Sequence, residues 1–253
     1  MLLTSVTIMR TLRLLLSNAA ILGGCLDAAA QFGPPEYEPM KADQAVLPGF
    51  PQHVLSQGVK SGQVRVAVQV DPDGRLSDFL VTAYSNPALV DGAVAAVKKW
   101  HFEPARIHGE PRSAKAEYTF NYEAEGVVLV DMSVQTIAEL LRLRIAPNSL
   151  AFTAHTLGQL DRIPTPIRIV KPLYPQMLAR SSRGGRVTVE FYIDEQGRVR
   201  LPSVDRQTIE ANEDLAAAAV TAVEQWQFEP PLFKGRPALT LAQQDFNFKA
   251  PAP

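Results

Sequence analysis

The phrase Trp100-His101-Phe102-Glu103-Pro104 returns as Trp226-Gln227-Phe228-Glu229-Pro230, and its surroundings return with it. From Asn86 onward the matched positions keep one offset of 126 residues: Asn86 with Asn212, Trp100 with Trp226, Gly109 with Gly235, Pro111 with Pro237, Phe120 with Phe246 and Tyr122 with Phe248. Chance does not hold one spacing across so many structurally distinct positions. A chain built this way folds as one small unit made twice, and each functional residue has a counterpart to be compared with it.

The first copy shows what the unit is. Val64, Val66, Val68 and Val70 alternate with Gln63, Arg65 and Gln69, the pattern of a half-buried strand. Asp71-Pro72-Asp73-Gly74 turns the chain into a second strand near Leu76–Thr82. Asn86-Pro87 starts a helix whose apolar stripe is Leu89, Ala93, Ala96 and Trp100. Ala114, Ala116, Tyr118, Phe120 and Tyr122 alternate as a third strand. In the second copy Gly185 opens the strand through Ile193, Asp194-Glu195-Gln196-Gly197 makes the turn, and Asn212 stands where Asn86 stood as the helix cap. Phe50-Pro51-Gln52 and Tyr174-Pro175-Gln176 add a first short helix to each. The expected fold class is α+β: two tandem small domains, each a three-stranded antiparallel sheet with two helices on one face. The expected boundaries are a signal peptide at 1–30, a flexible leader at 31–48, domain one at 49–123, a linker with a short helix near Val134–Arg144 at 124–165, and domain two at 166–250.

The N-terminus has the order of an export signal: Arg10 and Arg13, an apolar run from Leu14 to Leu22, then small residues to Ala28-Ala29-Ala30. Three fates fit it: cleavage after Ala30, acylation of Cys25 within Leu22-Gly23-Gly24-Cys25 to give a lipid anchor, or retention as a short membrane anchor. Each exports the body of the protein.

Chemistry is sparse. A formal charge of -1 with scattered Lys and Arg gives no basic surface for nucleic acid. Cys25 is the one cysteine, which excludes an intramolecular disulfide. His53, His101, His108 and His155 lack a metal-site spacing, so no metal or cofactor is expected. Glu103 and Glu229 occupy equivalent loops of separate domains, where local hydrogen bonding is the simpler role. No serine sits in a nucleophile elbow, and the reading is non-enzymatic.

Tyr174-Pro175, the strand from Gly185 to Ile193, the turn to Gly197, Trp226-x-Phe228-x-Pro230, Gly235-x-Pro237 and Phe246-x-Phe248 together resemble the C-terminal domain of TonB energy transducers. Leu160-Asp161-Arg162-Ile163-Pro164-Thr165-Pro166 is similar to the lead-in of such domains. Trp100, Phe102 and Pro104 carry the same motif in the looser first copy, where Phe50 replaces Tyr and no clear lead-in is present. The resemblance implies a periplasmic module of a Gram-negative bacterium, serving energy-coupled transport through the outer membrane. It implies a grip on an outer-membrane receptor or another envelope protein by strand addition at the last strand, through Thr240, Leu241, Ala242, Gln243, Gln244, Asp245 and Phe246. The alternative is a structural envelope protein whose domains pair edge to edge, with each other or in a homodimer. The two tryptophans are expected to anchor helix to sheet.

Overall fold

The computed structural model describes residues 37–43, 45–124, 126–131, 150–181 and 184–249. Cys25, the export signal and the expected linker helix near Val134–Arg144 lie outside these residues.

In the first repeat two short strands, β1 (Tyr37–Glu38) and β2 (Lys41–Asp43), precede the five-residue helix α1 (Gln52–Ser56). The hairpin β3 (Ser61–Val70) and β4 (Leu76–Tyr84) follows, then a 3₁₀ turn at Pro87–Leu89 leading into α2 (Val90–Val97). Short strands β5 (His101–Glu103), β6 (Ala105–Ile107) and β7 (Glu110–Arg112) lead to β8 (Ala114–Glu123). The connector supplies β9 (Gly126–Asp131), β10 (Phe152–Thr153), β11 (His155–Thr156) and a 3₁₀ turn at Leu157–Gln159. The second repeat runs β12 (Pro166–Arg168), a 3₁₀ segment at Gln176–Ser181, the hairpin β13 (Gly185–Ile193) and β14 (Val199–Val204), and α3 (Arg206–Val223). Its remaining strands are β15 (Gln227–Phe228), β16 (Leu232–Phe233), β17 (Arg236–Pro237) and β18 (Thr240–Phe248).

The α+β reading holds, but the per-domain arrangement differs from three strands and two helices. The first repeat's sheet has five strands in the order β10-β4-β3-β8-β9, and the second's has four in the order β11-β18-β13-β14. The extra strands come from the connector, because a sheet edge presents unpaired N–H and C=O groups that any nearby extended chain can satisfy. The first helix of each repeat is also smaller than expected. Pro51 before α1 and Gly58 after it, with φ 81°, leave room for little more than one turn. The counterpart at 176–181 is 3₁₀.

The helix starts differ as well. Asn86 accepts from Ala88 N at 3.0 Å, as an N-cap does, although the turn it caps is 3₁₀. In the second repeat the helix starts earlier, capped by Asp205, which accepts from Thr208 N at 3.0 Å. Asn212 is a break inside that helix, with φ -153° and ψ 60°. β14 is three residues shorter than β4, and those three residues, with the three by which the offset grows from 123 at Gly74 and Gly197 to 126 at Asn86 and Asn212, become the added start of the helix. The leader is structured from Tyr37 onward, since β1 pairs with β6, β2 pairs with β5, and Met40 is buried in the first core.

Both hairpin turns use the same device. Asp71 accepts from the amides of Asp73 and Arg75, and Asp194 from those of Gln196 and Arg198. Gly74 and Gly197 sit at φ +80° and +81°, and a side chain on either would strike the carbonyl of Phe102 or Phe228. The turn thus presses on the tryptophan phrase, and Phe228 N donates to Gly197 O at 2.8 Å.

The described residues from Tyr37 on belong to one compact unit. Each sheet lays one face on its own helix, burying Val64, Val66, Val68 and Val70 in one core and Val187, Val189, Phe191 and Ile193 in the other. The opposite faces meet each other: β14 lies against β3, β4 and β8, and Ala67, Tyr192, Leu201 and Leu239 form a third buried cluster. Ion pairs surround that cluster. Arg200 Nε donates to Asp78 at 2.8 Å, Lys115 reaches Glu190 at 2.6 Å, and Arg112 pairs with Glu213. Burial and the neighbouring Glu117 and Glu190 push the Tyr192 hydroxyl well above the usual phenol range, so it stays neutral in the contact.

Arg200 and Asp78 are each about a quarter exposed, whereas Arg186 and Asp245, paired on the outside of the second sheet, are 68% and 43% exposed. Arg200→Ala is expected to lower stability by about 1–3 kcal/mol in urea unfolding, since it strands a half-buried carboxylate. Arg186→Ala is expected to leave the midpoint unchanged within error.

Candidate functional site: an open sheet edge beside an apolar groove

The site is built by the tryptophan phrase. Trp226 is buried at the end of α3, where its ring meets Phe191 edge-on at 6.1 Å and Phe246 at 5.7 Å. Its indole N–H donates to Val170 O at 2.7 Å. In the first repeat Trp100 Nε1 donates to Val46 O at 2.8 Å. Each tryptophan therefore holds its helix to its sheet and also ties down the chain that leads into the repeat. Val46 and Val170 share the spacing of Phe50 and Tyr174, so the first repeat does have a lead-in, which its sequence disguises.

In the second repeat this lead-in becomes a wall. Asp161 accepts from Lys234 N at 2.9 Å and Gly235 N at 2.7 Å, the two residues of the β16–β17 turn with positive φ. Arg162 donates to Glu229 at 2.9 Å, Glu229 N donates to Thr165 O at 2.8 Å, and β12 pairs with β15. Tyr174 donates its hydroxyl to Leu178 O at 3.2 Å. From Asp161 to Val170 the lead-in is fastened at successive points to the phrase and the loop after it.

Between this wall and β18 lies a groove of about 740 Å³. Trp226, Phe228, Phe191 and Phe246 line it with Pro164, Pro166 and Ile169 of the wall. Apolar side chains continue along its rim: Ile163, Ile167, Leu173 and Met177 are exposed, Leu173 at 84%. Large apolar side chains grouped at a rim mark a surface that is completed by something else. Arg168 and Lys171 are the charges within that stretch of wall.

β18 forms the other side. β13 pairs with it along its whole length, and β11 runs parallel to its first two residues, His155 opposite Thr240 and Thr156 opposite Leu241. From Ala242 to Phe248 its outer edge has no strand beside it among the described residues. The seven residues expected to contact a partner therefore separate into groups. Thr240 is buried, and with Leu241 it is already paired to β11. Ala242 and Phe246 face the helix-side core. Gln243 points its amide at Glu190, at 3.5 Å, while Gln244 donates to the carbonyl of Asp245 at 2.8 Å. The Asp245 carboxylate accepts from Arg186 at 2.6 Å and Thr188 at 2.5 Å. The wall residues Asp161, Ile169 and Val170 were not among those expected to contact a partner; Asp161 falls in the lead-in stretch, and that was its one signal.

Among the described residues no three His, Cys, Asp or Glu side chains converge. His155 is stacked on Phe233 with centroids 4.0 Å apart.

The profile of the Gram-negative bacterial TonB protein C-terminal family matches residues 47–124 and again 170–250. Among solved structures, the solution NMR structure of the Pseudomonas aeruginosa TonB CTD is similar at 27% identity. That match covers 39% of this chain and 95% of the other, with a TM-score of 0.30. No curated protein matches.

Trp226→Phe is expected to keep the ring packing and lose the bond to Val170, lowering stability by about 1 kcal/mol; Trp226→Ala is expected to cost about 3–5 kcal/mol. Urea unfolding reads both, and faster amide exchange at 169–171 in the Phe variant reads the loosened wall. Hydrogen bonds from Arg186 and Thr188 and the Arg186 charge hold the Asp245 carboxyl below the usual carboxylate range. Because the folded value is the lowered one, the clasp is complete at neutral pH and is lost as pH falls through that value. A carbon-detected NMR titration is expected to place the Asp245 midpoint below the usual aspartate range, and Arg186→Ala is expected to raise it.

Proposed function

Since the chain belongs to the TonB C-terminal family and carries the domain twice, we propose that its second repeat binds an envelope partner by taking an extended segment as a strand on the open edge of β18. The family is a non-enzymatic interaction module with an envelope role in energy-coupled transport, and its domains interact with outer-membrane receptors and other envelope proteins. The observation that carries the reading is the run Ala242–Phe248, which among the described residues is unpaired on one side and faces an apolar groove. Backbone pairing supplies affinity along such an edge, and alternate side chains supply selectivity. One set of partner side chains enters the groove against Trp226 and Ile169 and is apolar. Arg168 and Lys171 on the wall favour a segment with acidic residues beside the apolar ones. The Gln244 amide is a placeholder on the Asp245 carbonyl, to be displaced by the partner's own N–H. Export to the periplasm, by cleavage after Ala30 or with an anchor at Cys25, agrees with this role. No helix among the described residues is long and apolar enough to cross a membrane.

The test is a panel of synthetic decapeptides taken from periplasm-facing segments of TonB-dependent receptors. A binding peptide is expected to shift and protect backbone amides within 242–248 and to leave those of β14 unmoved. The Asn247 side chain is exposed, and its N–H shares the parity of Asp245 along the strand. Asn247→Pro removes an edge donor at a position an edge strand tolerates, and is expected to weaken binding about tenfold without unfolding the domain. Unperturbed spectra at millimolar peptide would sink the reading. A dimer in light scattering with 242–248 protected in the absence of peptide would replace it with edge-to-edge pairing of two copies.

A further inference from the structure

We infer that the first repeat is a closed copy of the same module: β9 is a built-in strand on the edge that the second repeat leaves open among the described residues, so of the two equivalent edges that of β18 is left for docking and the first repeat serves as its support. The word docking rests on the strand-addition reading of β18; the closure of the first repeat does not.

The two edges are equivalent by position. With the offset of 126, Tyr118–Glu123 of β8 correspond to Gln244–Lys249, five of which lie in β18. In the first repeat β9 runs antiparallel along this stretch without a break, from Tyr118 opposite Asp131 to Glu123 opposite Gly126. In the second repeat the same positions have β13 on one side and, among the described residues, no strand on the other. Only two residues join β8 to β9. A strand tethered this closely competes at an effective concentration of roughly millimolar or more, above what a free segment in the micromolar range can match. Its sequence, Gly-Val-Val-Leu-Val-Asp, is rich in the β-branched residues that favour a ladder. The other edge of the first sheet is partly covered too: β10 pairs with the end of β4, and Phe152 stacks on Tyr84 at 5.1 Å. The bare face of the first sheet is used against the second. What remains to the first repeat is to hold β13 and β14 from behind while β18 is loaded.

The probe is a synthetic peptide with the sequence of residues 125–132, offered to the full chain and to a variant in which 126–131 are replaced by alternating Gly and Ser. The variant is expected to gain one equivalent of peptide, with shifts at the amides of 119–122. The natural chain is expected to bind at those amides at least tenfold more weakly. In the natural chain without peptide, hydrogen exchange is expected to protect the amides of β9 that face β8. Exchange there as fast as in an unpaired segment would overturn the inference whether or not the variant folds. So would a folded variant whose 119–122 amides ignore millimolar peptide. If β9 is protected and the variant gains its site while β18 stays silent toward every receptor segment, the closure stands and the strand-addition reading of β18 fails.

Discussion

One hydrogen bond per repeat, from an indole N–H to a lead-in carbonyl, ties the end of the helix and its sheet to the incoming chain, at the centre of the other contacts that hold it. An indole buried against aromatic rings loses water on all sides, so its single donor must find a partner inside the protein. The partner is the backbone of the incoming chain, Val46 in one repeat and Val170 in the other. A net worth of about 1 kcal/mol is small beside the burial of the ring. Its geometry matters more than its energy, because it fixes where the lead-in runs relative to the last strand. In the second repeat that distance is the width of the groove.

Duplication then solves a problem that a single copy has. A sheet covered by helix on one face leaves the other face in water. Here the two uncovered faces cover each other through Ala67, Tyr192, Leu201 and Leu239, with charged pairs at the margin. The arrangement stacks helix, sheet, sheet and helix, and once the faces are used the edges are what remains. The outer edge of β8 is filled by β9, and among the described residues the stretch of β18 beyond β11 stays open. The copies have parted less in their cores, where most positions correspond although buried Tyr118 has exposed Gln244 as its counterpart, than in what the connector does at their margins.

This is also where the sequence was legible and where it was not. The offset of 126, the valine alternation and the tryptophan phrase gave the strands, the turns and the family, because each is a local pattern with one physical cause. The sheet-to-sheet contact had a faint signal: Ala67 stands in a row otherwise made of Gln63, Arg65 and Gln69. A single alanine in a polar row does not say what it faces. The connector strands had less, since β10 and β11 are two residues each and owe their conformation to the edge they meet. Asn212 misled because the same residue type serves at a cap and at a break, and the helix start was decided by Asp205 and Thr208. The groove was invisible because its apolar wall, Ile163 to Leu173, is punctuated by prolines and has no period.

An open edge beside apolar rims would normally invite a second copy to pair with it. The residues of β18 act against that without closing the edge. Asp245 is engaged by Arg186 and Thr188, so the strand carries a fixed charge pair on the face away from the groove. Gln243, Gln244 and Asn247 are exposed and polar, and two such strands laid edge to edge would gain little from one another's side chains. Those three amides stand at the strand's side of the groove, which Trp226, Phe228, Phe191 and Ile169 line with apolar surface, and the groove rewards apolar side chains that this strand, turned toward a copy of itself, does not carry at its centre. The same strand can therefore be poor at pairing with its own kind and good at receiving a different one. The apolar residues that make the difference are contributed by the lead-in that Trp226 holds in place.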